Sequence, residues 1–127
     1  MLIKKKAGDF TMLFVGIARE FSLLNEDQYN TIGDFYDEMA EKYGLENLVG
    51  LGYKWTESKI FYAIGLRNGD IDGSNLCIEL PDEDWVVVSG KTECLKEIYD
   101  EIYKDGPLKY EIETFTSGGE CEIKYRR

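Results

Sequence analysis

The feature that most constrains this chain is a repeat of pattern rather than of residues: a strand, a helix and two strands are followed by the same four elements again. In the first helix Ile32, Phe35, Tyr36, Met39 and Tyr43 fall at the three-four spacing of one helical face, with Thr31 placed to open it and Gly44 to close it. In the second, Leu95, Ile98, Tyr99, Ile102 and Tyr103 repeat that spacing, with Thr92 at the N-cap and Gly106-Pro107 as the stop. β-branched and aromatic runs flank both: 11–21 before the first helix, 77–80 and 85–89 before the second, then 48–55 with 59–66 and 108–115 with 121–125. Corresponding features lie about 60 residues apart, too far for a solenoid and suited to two pseudo-symmetric halves. The expected architecture is therefore α+β, a single domain over 1–127. Two β-α-β-β repeats, about 9–67 and about 75–127 and joined by the Gly- and Asp-rich link 68–75, build an antiparallel sheet with both helices on one face.

Composition narrows the chemistry. The chain has 127 residues, 43% of them hydrophobic, with two Trp, nine Tyr and six Phe, so it can enclose a core. Its net charge of −10 repels phosphate backbones, which excludes direct nucleic acid binding and suits a cationic ligand or a basic protein surface. Histidine is absent, so Ser-His, Cys-His and His-metal mechanisms are excluded, leaving Glu, Asp, Tyr and Lys for any proton transfer. Cys77, Cys94 and Cys121 have neither an even count nor a C-x-x-C spacing; buried free thiols in a reducing compartment are expected, with no metal and no cofactor. Lys4 to Lys6 followed by Phe10 to Ala18 imitates a signal peptide, but Asp9 and Arg19-Glu20 interrupt it. We read a solvated basic start and a buried strand, in a cytoplasmic protein without a membrane span.

Strand alternation then points to a site. In 108–115, Tyr110, Ile112 and Thr114 take one side and Glu111, Glu113 and Phe115 the other, while Leu51, Tyr53 and Trp55 alternate in the corresponding hairpin. With helices on one face, the other face needs an occupant, and the repeat relates Tyr53 and Trp55 to Glu113 and Phe115 there. Aromatic rings beside an acid are suited to an amphipathic or cationic molecule. The helix-stripe residues Phe35, Tyr36, Tyr99 and Tyr103 read as scaffold.

The segments Phe14-Val15-Gly16-Ile17, Lys42-Tyr43-Gly44, Phe61-Tyr62-Ala63-Ile64-Gly65, Ile78-Glu79-Leu80-Pro81, Trp85-Val86-Val87-Val88 and Tyr110-Glu111-Ile112-Glu113-Thr114-Phe115, in that order, resemble the GyrI-like effector-binding domains. These occur in multidrug-sensing AraC-type and MerR-type regulators and as free-standing proteins, and the match spans nearly the whole chain. The resemblance implies a cleft between the halves, lined by aromatics and floored by a glutamate at the position of Glu113, that takes lipophilic and often cationic compounds. Departures are Ile102, where the family often has Trp, and Phe115 in place of Tyr. The expected ligand contacts are Glu113, Tyr53, Trp55, Tyr62, Trp85 and Phe115, with no catalytic residue assigned. Both helices are consumed by the repeat, so no helix-turn-helix is left for a complete regulator. Alternative readings are a hydrolase of electrophilic small molecules using Glu113 as base, and a partner of DNA gyrase or of a regulator.

Overall fold

Eight strands and two α-helices follow one another through the described residues, which are 2–4 and 11–127 of a computed structural model. They are β1 (Leu2–Lys4), β2 (Thr11–Ser22), α1 (Gln28–Tyr43), β3 (Leu48–Tyr53), β4 (Lys59–Leu66), β5 (Leu76–Pro81), β6 (Val86–Lys91), α2 (Leu95–Tyr103), β7 (Tyr110–Phe115) and β8 (Glu120–Arg126). Lys5, Lys6, Asp9 and Phe10 lie outside the described residues, whereas Lys4, expected in a solvated start, belongs to β1 and pairs with Met12.

The sheet is antiparallel throughout in the order β1-β2-β4-β3-β7-β8-β6, with β5 also on β2. The duplication is legible in that order: β2, β4 and β3 on one side mirror β6, β8 and β7 on the other, and β3 meets β7 at the seam. β2 changes partner half-way. Its first part, Thr11 to Gly16, pairs with β5, and its second, Ile17 to Ser22, pairs with β4. The change falls at Gly16, where a Cβ would lie 2.7 Å from the Ile64 carbonyl oxygen and 2.8 Å from the Phe14 ring. Only glycine allows so close a crossing.

Each helix lays its apolar stripe on the same face of the sheet. α1 buries Phe35, Tyr36 and Met39 against Leu48, Tyr62 and Ile64, while α2 buries Tyr99 and Ile102 against Leu108 and Ile123. The opposite face is closed by the chain itself: Phe14 and Leu80, from β2 and β5, pack on Val49, Leu51, Tyr53, Ala63 and Ile112. A fully buried side chain of this size contributes about 1.5–3 kcal/mol, so this second core has no need of a ligand.

Helix boundaries depart from the sequence reading. α1 begins at Gln28 behind Asp27, and the Thr31 hydroxyl, expected at the cap, donates back to the Asp27 carbonyl at 3.0 Å. Tyr29 extends the stripe one turn earlier than the spacing from Ile32 suggests. Gly44 does close α1, at a φ of 87° that disfavours a side chain. Thr92 makes no cap either; it starts a 3-10 turn before α2, and its backbone N–H donates to the Gly119 carbonyl at 2.8 Å. Of the thiols expected to be buried, only Cys121 is; Cys77 and Cys94 are exposed, because both fall on outward positions. No described helix is long and apolar enough to cross a membrane.

Candidate functional site

Between the two helices and the sheet lies a hollow of about 830 Å³, within the range that small-molecule sites occupy. The strand register explains why there is room for it. On β3 the residues facing the helices are Leu48, Gly50 and Gly52, and the last two lie opposite Glu113 and Glu111 of β7. Two bare backbone positions therefore face two glutamates. A Cβ on Gly50 would lie 2.0 Å from the Tyr62 hydroxyl; one on Gly52 would lie 2.9 Å from Glu111 Oε1 and 3.1 Å from the Trp55 ring. The site occupies the space those glycines leave.

Glu113 and Glu111 are 5% and 4% exposed. Glu113 accepts the Tyr62 hydroxyl on Oε1 and the Tyr99 hydroxyl on Oε2, both in short contacts. Its backbone carbonyl accepts the Tyr36 hydroxyl at 3.2 Å. Glu111 Oε2 accepts the Tyr103 hydroxyl at 3.1 Å. Among the described residues no Lys or Arg forms an ion pair with either carboxylate. Burial disfavours their ionised forms and raises both above the ordinary carboxylate range; repulsion by Glu113 raises Glu111 further, and the tyrosine hydroxyls partly oppose both shifts. Burial likewise pushes Tyr36, Tyr62, Tyr99 and Tyr103 upward, so all four remain neutral donors.

Around this polar floor the wall is aromatic. Tyr36 meets Phe115 edge-on at 5.0 Å between ring centroids, Tyr99 and Tyr103 stack at 5.4 Å, and Ile32, Leu95 and Leu108 fill the apolar gaps. Such a surface desolvates an aromatic or aliphatic ligand without demanding one hydrogen-bond pattern. Among the described residues no three acids or thiols converge as a metal would require.

Of the six residues singled out from sequence, Glu113, Trp55, Tyr62 and Phe115 line the hollow. Tyr53 and Trp85 do not. Tyr53 lies opposite Tyr110 and so on the face turned away from Glu113, where its ring packs on Phe61 at 5.7 Å. Trp85 packs on Tyr110 on that same outer side and donates its indole N–H to the Pro81 carbonyl at 2.7 Å. The expectation that the site lies on the face without helices is corrected accordingly: the acids point between the helices.

The fold has a solved counterpart. This chain is similar in fold to SAV2435. The structure of SAV2435 bound to tetraphenylphosphonium superposes with a TM-score of 0.62 over 91% of this chain and 87% of that one, at 16% sequence identity. No family model and no curated protein matches the sequence.

Sequence reasoning misses Tyr36, Tyr99 and Tyr103, which it reads as scaffold, and Glu111, which it places on the right side of β7 without a role. A signal is available for the tyrosines. A tyrosine on a buried helical stripe carries a hydroxyl that needs an acceptor, and a leucine there would not.

Proposed function

We propose that the chain binds lipophilic organic cations in the hollow between its helices, with Glu113 compensating the charge and Trp55, Tyr62 and Phe115 contacting the body of the ligand. One observation carries this reading. A carboxylate held in place by two tyrosine hydroxyls is sequestered in an apolar hollow without a described cationic partner. Ionised and alone it is costly; a cation with an apolar body supplies the missing charge and fills the hollow at once. That SAV2435, a fold relative, binds tetraphenylphosphonium supports the same ligand class here. Both Glu113 oxygens already accept tyrosine hydroxyls, which favours binding over activation of water by that carboxylate. A sensing or sequestering domain of the GyrI-like kind in the cytoplasm is the role that fits.

Calorimetric titration tests it with tetraphenylphosphonium and neutral triphenylphosphine oxide, against wild type and Glu113→Gln. The cation should bind wild type and lose tenfold or more in the variant, about 1.4 kcal/mol, while the neutral compound changes little. Equal losses for both would remove the charge-compensating role.

A further inference from the structure

The hollow contains two carboxylates, and they are not equivalent. Glu111 and Glu113 stand two residues apart on one face of β7, so their backbone positions are separated by about 7 Å. Tyr99 reaches both, and their other neighbours differ. Glu113 lies with Tyr62 and Tyr99, beneath the Tyr36 and Phe115 pair. Glu111 lies with Tyr103, one helical turn beyond Tyr99, and turns its Oε1 toward Gly52 and the Trp55 ring. The stacked rings of Tyr99 and Tyr103, nearly parallel at 17°, stand beside the acids like adjoining stalls.

A ligand with a single positive centre draws only one of these acids back toward its ionised form and makes no use of the other. We propose that the hollow contains two cation subsites, Glu113 with Tyr62 and Tyr99, and Glu111 with Tyr103 and Trp55, and that it selects elongated aromatic dications whose charges are separated by about 7 Å. The proposal rests on the cation-binding reading above and adds to it the class of ligand. Trp55 gives the second subsite a ring on which the outer charge can lie, and the glycine at 52 keeps that approach open.

The test uses two compounds of one shape. Benzyl viologen has two quaternary nitrogens at the ends of a rigid bipyridinium, a spacing of about 7 Å that matches successive same-face positions on a strand. 1-Benzyl-4-(4-benzylphenyl)pyridinium keeps that shape and both benzyl groups but has one charge. Calorimetric titrations at physiological salt should show the dication binding wild type at least tenfold tighter than the monocation. Glu111→Gln should abolish that preference, weakening the dication more than the monocation, whereas Glu113→Gln should weaken both; the wild-type comparison stands even if a variant fails to fold. Equal wild-type affinities, or a Glu111→Gln loss that is the same for both compounds, would overturn the two-subsite proposal. In that case tetraphenylphosphonium binding would leave the simpler reading intact, and failure of all three cations to bind would remove both.

Discussion

Replacing Gly50 by alanine probes the architecture that makes the site possible. The new methyl carbon would sit 2.0 Å from the Tyr62 hydroxyl oxygen, 2.7 Å from the ring carbon that bears it and 3.0 Å from the Tyr36 ring. Tyr62 cannot swing clear, since it is 1% exposed and packed within the core under α1. Either β3 shifts against β7 or the Tyr62 hydroxyl leaves Glu113. Overpacking a close-fitting core costs about 1–3 kcal/mol. Stranding a buried hydrogen-bonding group costs about another 1–3 kcal/mol. The expected loss is therefore about 2–6 kcal/mol out of a total stability of about 5–15 kcal/mol, and the melting temperature should fall on the order of 10 °C. Urea unfolding followed by circular dichroism measures this directly, with the midpoint shifted and the slope unchanged. The same substitution on a Tyr62→Phe background, where the hydroxyl is gone, should cost less by about 1 kcal/mol or more. A Gly50→Ala loss below about 0.5 kcal/mol, or no coupling to Tyr62, would show that the glycine is not what makes room for the tyrosine and the acid.

Gly33 provides the opposite case: it lies within α1 with nothing within 4 Å of where a Cβ would stand, so Gly33→Ala should raise stability by about 0.5–1 kcal/mol in the same assay. Stability should also depend on pH through the buried acids, which face Tyr36 on α1, Tyr62 on β4 and Tyr99 and Tyr103 on α2. Their native values are raised above the ordinary 4.5, so the native state holds protons that the unfolded chain has released; the stabilisation is complete below 4.5 and is lost as pH rises through the native values. Each acid in that window should cost about 1.4 kcal/mol per pH unit. Glu111→Gln with Glu113→Gln should flatten the fall of unfolding free energy as pH rises above 4.5; an unchanged slope would contradict burial of the acids.

The parts of this structure that are legible in the sequence are those set by local period. Both helical stripes, the strands β2 to β8 around them and the placing of Glu111, Glu113 and Phe115 on one side of β7 follow from spacings of three-four and of two, which each segment carries by itself. Matching one strand's face to another's requires the register, and a slip of one residue reverses it. Alternation alone therefore groups Tyr53 with Glu113. In the observed pairing Gly50 lies opposite Glu113, and Tyr53 belongs with Leu51 and Ile112 on the outer face. Trp85 precedes β6 and is outside its pairing, and it packs on Tyr110 on that outer face. The long β2 accounts for the rest of the difference: by pairing with β5 as well as β4, it brings Phe14 to the face that periodicity leaves open for a ligand. A pairing between strands about sixty residues apart or more leaves no trace in the periodicity of either.

A crystal structure of the protein grown with tetraphenylphosphonium tests the central claim most directly. The cation should lie between α1 and α2 with Glu113 as its nearest carboxylate and the rings of Trp55, Tyr62 and Phe115 around its phenyl groups. Density for the ligand on the outer face beside Tyr53 and Trp85, or a hollow filled by the protein's own side chains while the cation is bound elsewhere, would contradict it.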